Sequence, residues 1–219
     1  MQPRDLARHP PALSAGYRSS TLRAPRRPLV ALPPEETMGL EFPALGALDH
    51  DLLHNAIQAG GSPIGERLLV HGHVRDSTGH PLPGVLVEVW QANAGGRYRH
   101  GRDSYRAPLD PNFAGAGRCL TDRDGRYHFM TVKPGPYPWR NGHEDGWRPS
   151  HIHFSLMGPH WAQRLVTQMY FEGDPLLASC PILATIPTDA GQRALIAHQD
   201  LSAFAAHDYR AYRFDITLR

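Results

Sequence analysis

The chain has 219 residues, 41% of them hydrophobic and 20% charged, enough to bury the core of one good-sized domain but hardly of two. Its 23 basic and 21 acidic side chains leave a formal net charge of +2, too even to mark nucleic acid or an anionic membrane as the main partner. No run approaches the roughly 18 apolar residues of a membrane span, and residues 1–16 lack the apolar stretch of a signal peptide, so a soluble, cytoplasmic protein is expected.

Residues 1–62 show little periodicity and many prolines (Pro10, Pro11, Pro25, Pro28, Pro33, Pro34 and Pro43). That is the pattern of an extended arm, with one short helix expected at 50–59. Arg4, Arg8, Arg18, Arg23, Arg26 and Arg27 against the single acid Asp5 make its start basic, which suits a solvated tail or an arm laid over a partner subunit. From Glu66 the texture changes to short β-branched and aromatic runs, at 67–75 (RLLVHGHVR), 84–91 (GVLVEVWQ), 126–132 (RYHFMTV), 151–156 (HIHFSL), 164–171 (RLVTQMYF) and 209–218 (YRAYRFDITL). Turn formers such as Ser77-Thr78-Gly79, Asp122-Arg123-Asp124-Gly125 and Pro134-Gly135-Pro136 bound them. The expected class is all-β, with residues 63–219 folding as one β-sandwich body that carries long loops, the arm and one or two short helices. A helix is expected at 188–199, with Thr188 as its N-cap, Asp189 near its start, and Leu195 and Ile196 on one face. Two stretches without a strand signal, 92–120 and 133–150, lie inside this body, and loops so long in a compact domain usually carry function.

Histidine is the compositional oddity, at 14 copies. On a strand, His151 and His153 point to the same face and could reach one metal while Ile152 packs behind them. With so many histidines, however, about 0.9 His-x-His pairs are expected by chance, and two occur. The second pair, His71 and His73, therefore serves as a decoy. Zinc would ask for a third histidine, a cysteine or a carboxylate at spacings that are absent, and the two cysteines, Cys119 and Cys180, are expected to be reduced and packed. The long loops offer tyrosines instead: Tyr98, Tyr105, and Tyr137 held between two prolines. Phenolate is a hard anionic oxygen whose pKa, ordinarily about 10, falls beside a strongly charged cation, so two histidines and two tyrosines favour ferric iron over zinc or copper. Each tyrosine taken singly reads equally as a packed or surface aromatic.

Four stretches in order carry a resemblance: Trp90-Gln91-Ala92-Asn93-Ala94-Gly95-Gly96-Arg97-Tyr98, Ala107-Pro108-Leu109-Asp110-Pro111-Asn112-Phe113, Lys133-Pro134-Gly135-Pro136-Tyr137-Pro138-Trp139 and Trp147-Arg148-Pro149-Ser150-His151-Ile152-His153-Phe154. They resemble the intradiol catechol dioxygenases, and most of all the iron-bearing β chains that act on protocatechuate (3,4-dihydroxybenzoate). The resemblance implies a non-haem Fe(III) centre, one per chain, with ligands Tyr98, Tyr137, His151 and His153. It implies insertion of both atoms of O2 to give 3-carboxy-cis,cis-muconate. Tyr137 would leave the metal and help take up a catechol proton, Arg148 would stabilise negative charge on the substrate ring, and Gln168 would stand behind the ligands. Trp90, Trp139 and Ile182 would line the substrate pocket, and Tyr17, from the arm, would lie near the substrate carboxylate. A homologous, iron-free α chain is the implied partner, in a hetero-oligomer. The loop 141–146 is a residue longer than the family pattern.

Two other readings compete. Catechol and hydroxyquinol 1,2-dioxygenases share the motifs but carry a helical N-terminal dimerisation region, which the proline-rich arm does not match. The stretch 70–127 also resembles transthyretin-like β-sandwich binding modules, which have no use for the histidine and tyrosine pairs together.

Overall fold

Period-two alternation of side chains decides the architecture. The computed structural model describes residues 44–56, 61–139, 146–158 and 164–218. Most of the arm, with Tyr17, and most of the 141–146 loop lie outside the described residues. Among the described residues the strands are β1 (Arg67–Arg75), β2 (Leu86–Trp90), β3 (Ala116–Leu120), β4 (Arg126–Val132), β5 (Tyr137–Pro138), β6 (Trp147–Arg148), β7 (His151–Met157), β8 (Arg164–Phe171), β9 (Ile196–Gln199), β10 (Arg210–Arg213) and β11 (Ile216–Thr217), with two 3-10 turns (Leu177–Ser179 and Leu183–Thr185) and one short α-helix, α1 (Asp189–Arg193), before β9.

One layer runs β4-β1-β10-β9 and the other β3-β2-β7-β8, and the parallel pairing of β8 with β9 joins them. Their inner faces interdigitate. Leu68, Val70 and Val74 of β1 and Tyr127 and Phe129 of β4 meet Val87 and Val89 of β2 and Ile152, Phe154 and Leu156 of β7, all buried in one cluster. Each such side chain contributes about 1.5–3 kcal/mol on leaving water, which is what fixes the register of the strands. In β7 the same alternation turns His151 and His153 to the outer face, with Ile152 in the core behind them. The expected all-β sandwich is therefore observed.

Several local expectations are corrected. Residues 44–56 form turns and a bridge rather than the start of a helix at 50–59, because the segment is stitched to β4: Leu52 N donates to Met130 O, Met130 N donates to His50 O, and Asp51 Oδ1 accepts from Leu53 N. Residues 57–59 of that expected helix lie outside the described residues. The helix expected at 188–199 ends at Arg193. Thr188 does cap it, accepting from Gly191 N at 3.1 Å, but 196–199 is drawn out as β9 between β8 and β10. The stretch 92–120 ends in β3, and 133–150 contains the β5–β6 ribbon. The expected strand 209–218 is interrupted between β10 and β11 without losing its register on β1. At the interruption His73 N donates to Asp215 Oδ1 at 2.9 Å, and a Cβ on Gly72 would lie 2.0 Å from Phe214 O, so only glycine lets the two strands close there.

Candidate metal centre

On the outer face of the second layer, strand register assembles a row of functional side chains. His153 stands opposite Trp90 on one side and Gln168 on the other, and His151 stands opposite Tyr170. Trp90 stacks on the His153 imidazole, ring centroids 4.8 Å apart and planes within 5°. His151 is 2% exposed, and its Nδ1 lies 2.7 Å from Pro149 O. A carbonyl can only accept, so Nδ1 carries the proton and the lone pair sits on Nε2.

Two loops bring tyrosines over those nitrogens. Tyr98 Oη lies 3.1 Å from His153 Nε2 and 3.4 Å from His151 Nε2, while Tyr137 Oη lies 3.3 Å from His151 Nε2. The tyrosine rings meet edge to face, 5.5 Å apart. Asn93 ties the loops together. Its side-chain oxygen accepts from Gly95 N and Arg97 N, its amide donates to Pro108 O, and its backbone oxygen accepts from both Gly96 N and Gly135 N. Gly96, at φ +80°, has Pro136 O where a Cβ would stand, at 2.2 Å, so the Tyr98 loop lies directly on the Tyr137 loop. Asp103 completes the frame by accepting from Tyr98 N and Tyr105 N.

The electrostatics suit a cation. Burial, and then the neighbouring Tyr137, push the Tyr98 phenol far above its ordinary pKa. Burial, followed by Arg148 and His153, holds His151 well below its own, so the imidazole is neutral. A buried phenol and the neutral His151 imidazole, with His153 beside them, form a donor set whose phenol a strongly charged metal would deprotonate. Donors about 2.1 Å from a common ion stand roughly 3.0–3.4 Å from one another, which matches the three separations above. Among the described residues no group of three or more His, Cys, Asp or Glu comes together to hold a metal.

Beside this tetrad, Arg148 of β6 is 3% exposed. Its Nη2 donates to Gln168 Oε1 and, at 3.1 Å, to Tyr170 Oη, and its guanidinium lies 5.9 Å from the Trp139 ring. Burial works against its charge, yet the surrounding Tyr170, Tyr137 and Cys180 leave its pKa above the ordinary arginine value, so it stays cationic. Ile182 lines a cavity of about 100 Å³ together with His153, Gln168, Tyr170, Ile186 and Leu195. The structure thus brings together Tyr98, Tyr137, His151, His153, Arg148, Gln168, Trp90, Trp139 and Ile182. Tyr105 instead packs edge-on against Trp147 at 6.5 Å, and His71 and His73 sit on the other layer. Sequence reasoning missed Asn93, Asp103 and Tyr170. Asn93 carries a turn signature in Asn-Ala-Gly-Gly, and Tyr170 lies two residues from Gln168 on a strand, hence on its face.

Comparison with known proteins places the chain in a family. A family model described as Dioxygenase matches residues 38–219, and one described as Protocatechuate 3,4-dioxygenase beta subunit N terminal matches residues 2–35. The chain is similar to the protocatechuate 3,4-dioxygenase beta chain of Burkholderia cepacia, 51% identical over 100% of this chain and 94% of that one. It is 32% identical to the protocatechuate 3,4-dioxygenase alpha chain of Pseudomonas putida, over 89% of this chain and 92% of that one. Among solved structures, 3-chlorocatechol 1,2-dioxygenase from Rhodococcus opacus superposes with a TM-score of 0.55 at 25% identity, covering 71% of this chain and 61% of that chain.

Proposed function

The chain belongs to the intradiol dioxygenases, and on that premise we propose that it is the catalytic β chain of an enzyme that cleaves protocatechuate between its two hydroxyls, inserting both atoms of O2 to give 3-carboxy-cis,cis-muconate. The observation that carries the reading is the convergence of Tyr98, Tyr137, His151 and His153 on one point within a full-length match to such a β chain.

Those four side chains would hold one non-haem Fe(III), which supplies Lewis acidity that offsets the cost of removing two phenolic protons from the catechol, about 1.4 kcal/mol per pKa unit each. Pro149 O fixes the His151 tautomer, and Trp90 fixes the plane of His153. Tyr137 Oη, held as a phenolate by the bound metal, would take up a catechol proton and become the neutral phenol; it lies 3.3 Å from His151 Nε2, within the cluster. Arg148 places a full positive charge where the ring becomes anionic. Trp139 and Ile182 would wall the substrate; Tyr17, which lies outside the described residues, is assigned by resemblance alone to the neighbourhood of the substrate carboxylate. We keep, as part of this reading, a division into an N-terminal arm, 1–62, and a catalytic body, 63–219, although residues 44–56 are hydrogen-bonded to β4 of the body.

The partner is a homologous, iron-free α chain, whose kinship with this chain is itself detectable over most of its length. Catechol and hydroxyquinol 1,2-dioxygenases are the second reading. The match of residues 2–35 to a protocatechuate-type N-terminal family favours the first, and the dioxygenase family match over residues 38–219 with the full-length likeness to a dioxygenase β chain argues against the inert binding module. Among the described residues no helix is long and apolar enough to cross a membrane, and we place the enzyme in the cytoplasm. The test is iron analysis, colour and oxygen uptake with protocatechuate, catechol and hydroxyquinol in parallel, with and without a co-expressed α chain. A red-brown protein that consumes oxygen fastest with protocatechuate is expected. A folded, iron-free, colourless preparation, or a preference for catechol, overturns the proposal.

A further inference from the structure

We propose that Tyr170 is a positioning residue that aims the Arg148 guanidinium at the reacting ring, an inference that rests on the functional reading above and deepens it. On β8, Gln168 and Tyr170 share the outer face, and strand register places them beside His153 and His151. Arg148 reaches this face from β6, and its Nη2 donates to both Gln168 Oε1 and Tyr170 Oη. The Tyr170 hydroxyl in turn donates to Gln168 Oε1 at 3.0 Å, which closes a ring of three hydrogen bonds. That arrangement also decides the Gln168 amide: its oxygen, not its nitrogen, must face the arginine.

Tyr170 suits the task for three physical reasons. Its oxygen lies on the ring axis, so ring flips leave it in place. The ring is 1% exposed and packed with Cys180, Leu183 and Ile186, while Cys180 Sγ lies 3.8 Å from the hydroxyl, so the side chain has no second seat. Both partners of Arg148 Nη2 are formally neutral, and among the described residues no carboxylate lies within ion-pair distance of the guanidinium. A buried cation is usually paired with an anion. A carboxylate here would fix the arginine equally well but would cancel the positive potential that an anionic substrate ring needs. The fork orients the charge and leaves it unspent. Arg148 Nε, buried and with no hydrogen-bond partner among the described residues, remains as a donor for a bound group.

The experiment is a double-mutant cycle in the assembled enzyme. Tyr170→Phe removes one oxygen and keeps the ring. It is expected to lower kcat about tenfold or more, while KM, iron content and the optical titration of anaerobic substrate binding change less than about twofold. In an Arg148→Ala background, itself about 10²-fold slower, Tyr170→Phe is expected to cost nothing further. An unchanged kcat, an equal loss in both backgrounds, or a loss confined to KM and the binding titration overturns the role. Gln168→Met removes the other arm of the fork and must be absorbed by Arg148→Ala in the same way, which keeps the proposal falsifiable if Tyr170→Phe does not fold. Wild-type protein that turns over no catechol overturns the functional reading instead, whereas turnover with additive losses overturns only the role of Tyr170.

Discussion

The two His-x-His pairs are alike in sequence and opposite in use. Both lie on strands of the sandwich, and both turn away from the core. His71 and His73 face carboxylates: His71 Nε2 is 3.2 Å from Asp200 Oδ2, and His73 Nδ1 is 3.5 Å from Asp215 Oδ1. Arg213 and His128 flank His71 in register on the neighbouring strands. His151 and His153 face phenols, with a backbone carbonyl fixing one ring and a tryptophan the other. What separates them is what the loops deliver. Among the described residues no loop crosses the first pair with a ligand, whereas two loops locked through Asn93 and Gly96 cross the second.

Breaking the second pair should be far costlier than breaking the first. His153→Ala is expected to lower kcat/KM by 10³-fold or more and to release iron, measured by oxygen uptake and metal analysis, while His73→Ala changes neither beyond about twofold. Next in size, Tyr98→Phe should remove the visible absorption of a phenolate ligand and cost about 10²-fold in activity; Tyr137→Phe should slow substrate binding in stopped-flow absorbance, and unaltered binding and turnover would end its role as a proton acceptor.

Two glycines sharpen the contrast at the level of backbone. Gly72→Ala and Gly96→Ala both drive a Cβ onto a carbonyl, at 2.0 and 2.2 Å, and Gly96 adds a positive φ. Each should lower stability by about 2–4 kcal/mol in denaturant melts, but only Gly96→Ala should also weaken iron retention, because it parts the two tyrosine loops. The smallest effect concerns pH. Burial holds His71 below its ordinary pKa against the opposing pull of Asp200, and burial with His50 and His71 does the same for His128. Below about pH 6.5 the unfolded chain then binds more protons than the folded one, so stability present at neutral pH is lost as the pH falls. His71→Asn should shrink the drop in melting temperature between pH 7 and pH 5, by roughly a degree or two.

Much of the fold was legible because burial writes a period of two into the chain. The runs at 67–75, 126–132 and 164–171 coincide with β1, β4 and β8. The strand β3 was not legible, since Ala-Gly-Arg-Cys-Leu has no alternation, and its Gly117 answers to a distant contact, where a Cβ would meet Leu52 and Asp49 O. Likewise Ile196–Gln199 continued a helical pattern until pairing with β8 and β10 outweighed local propensity.

By itself, the sequence determined the all-β class, the shared face of His151 and His153 and the family, because these follow from side-chain period and from long motifs in order. Only the tertiary structure decided how Asn93, Gly96 and Gly135 bind the tyrosine loops together, and that Arg148 rests on Tyr170 and Gln168 without a carboxylate among the described residues. Those facts depend on register between strands and on backbone contacts across the sandwich, and neither leaves a local mark in composition or spacing.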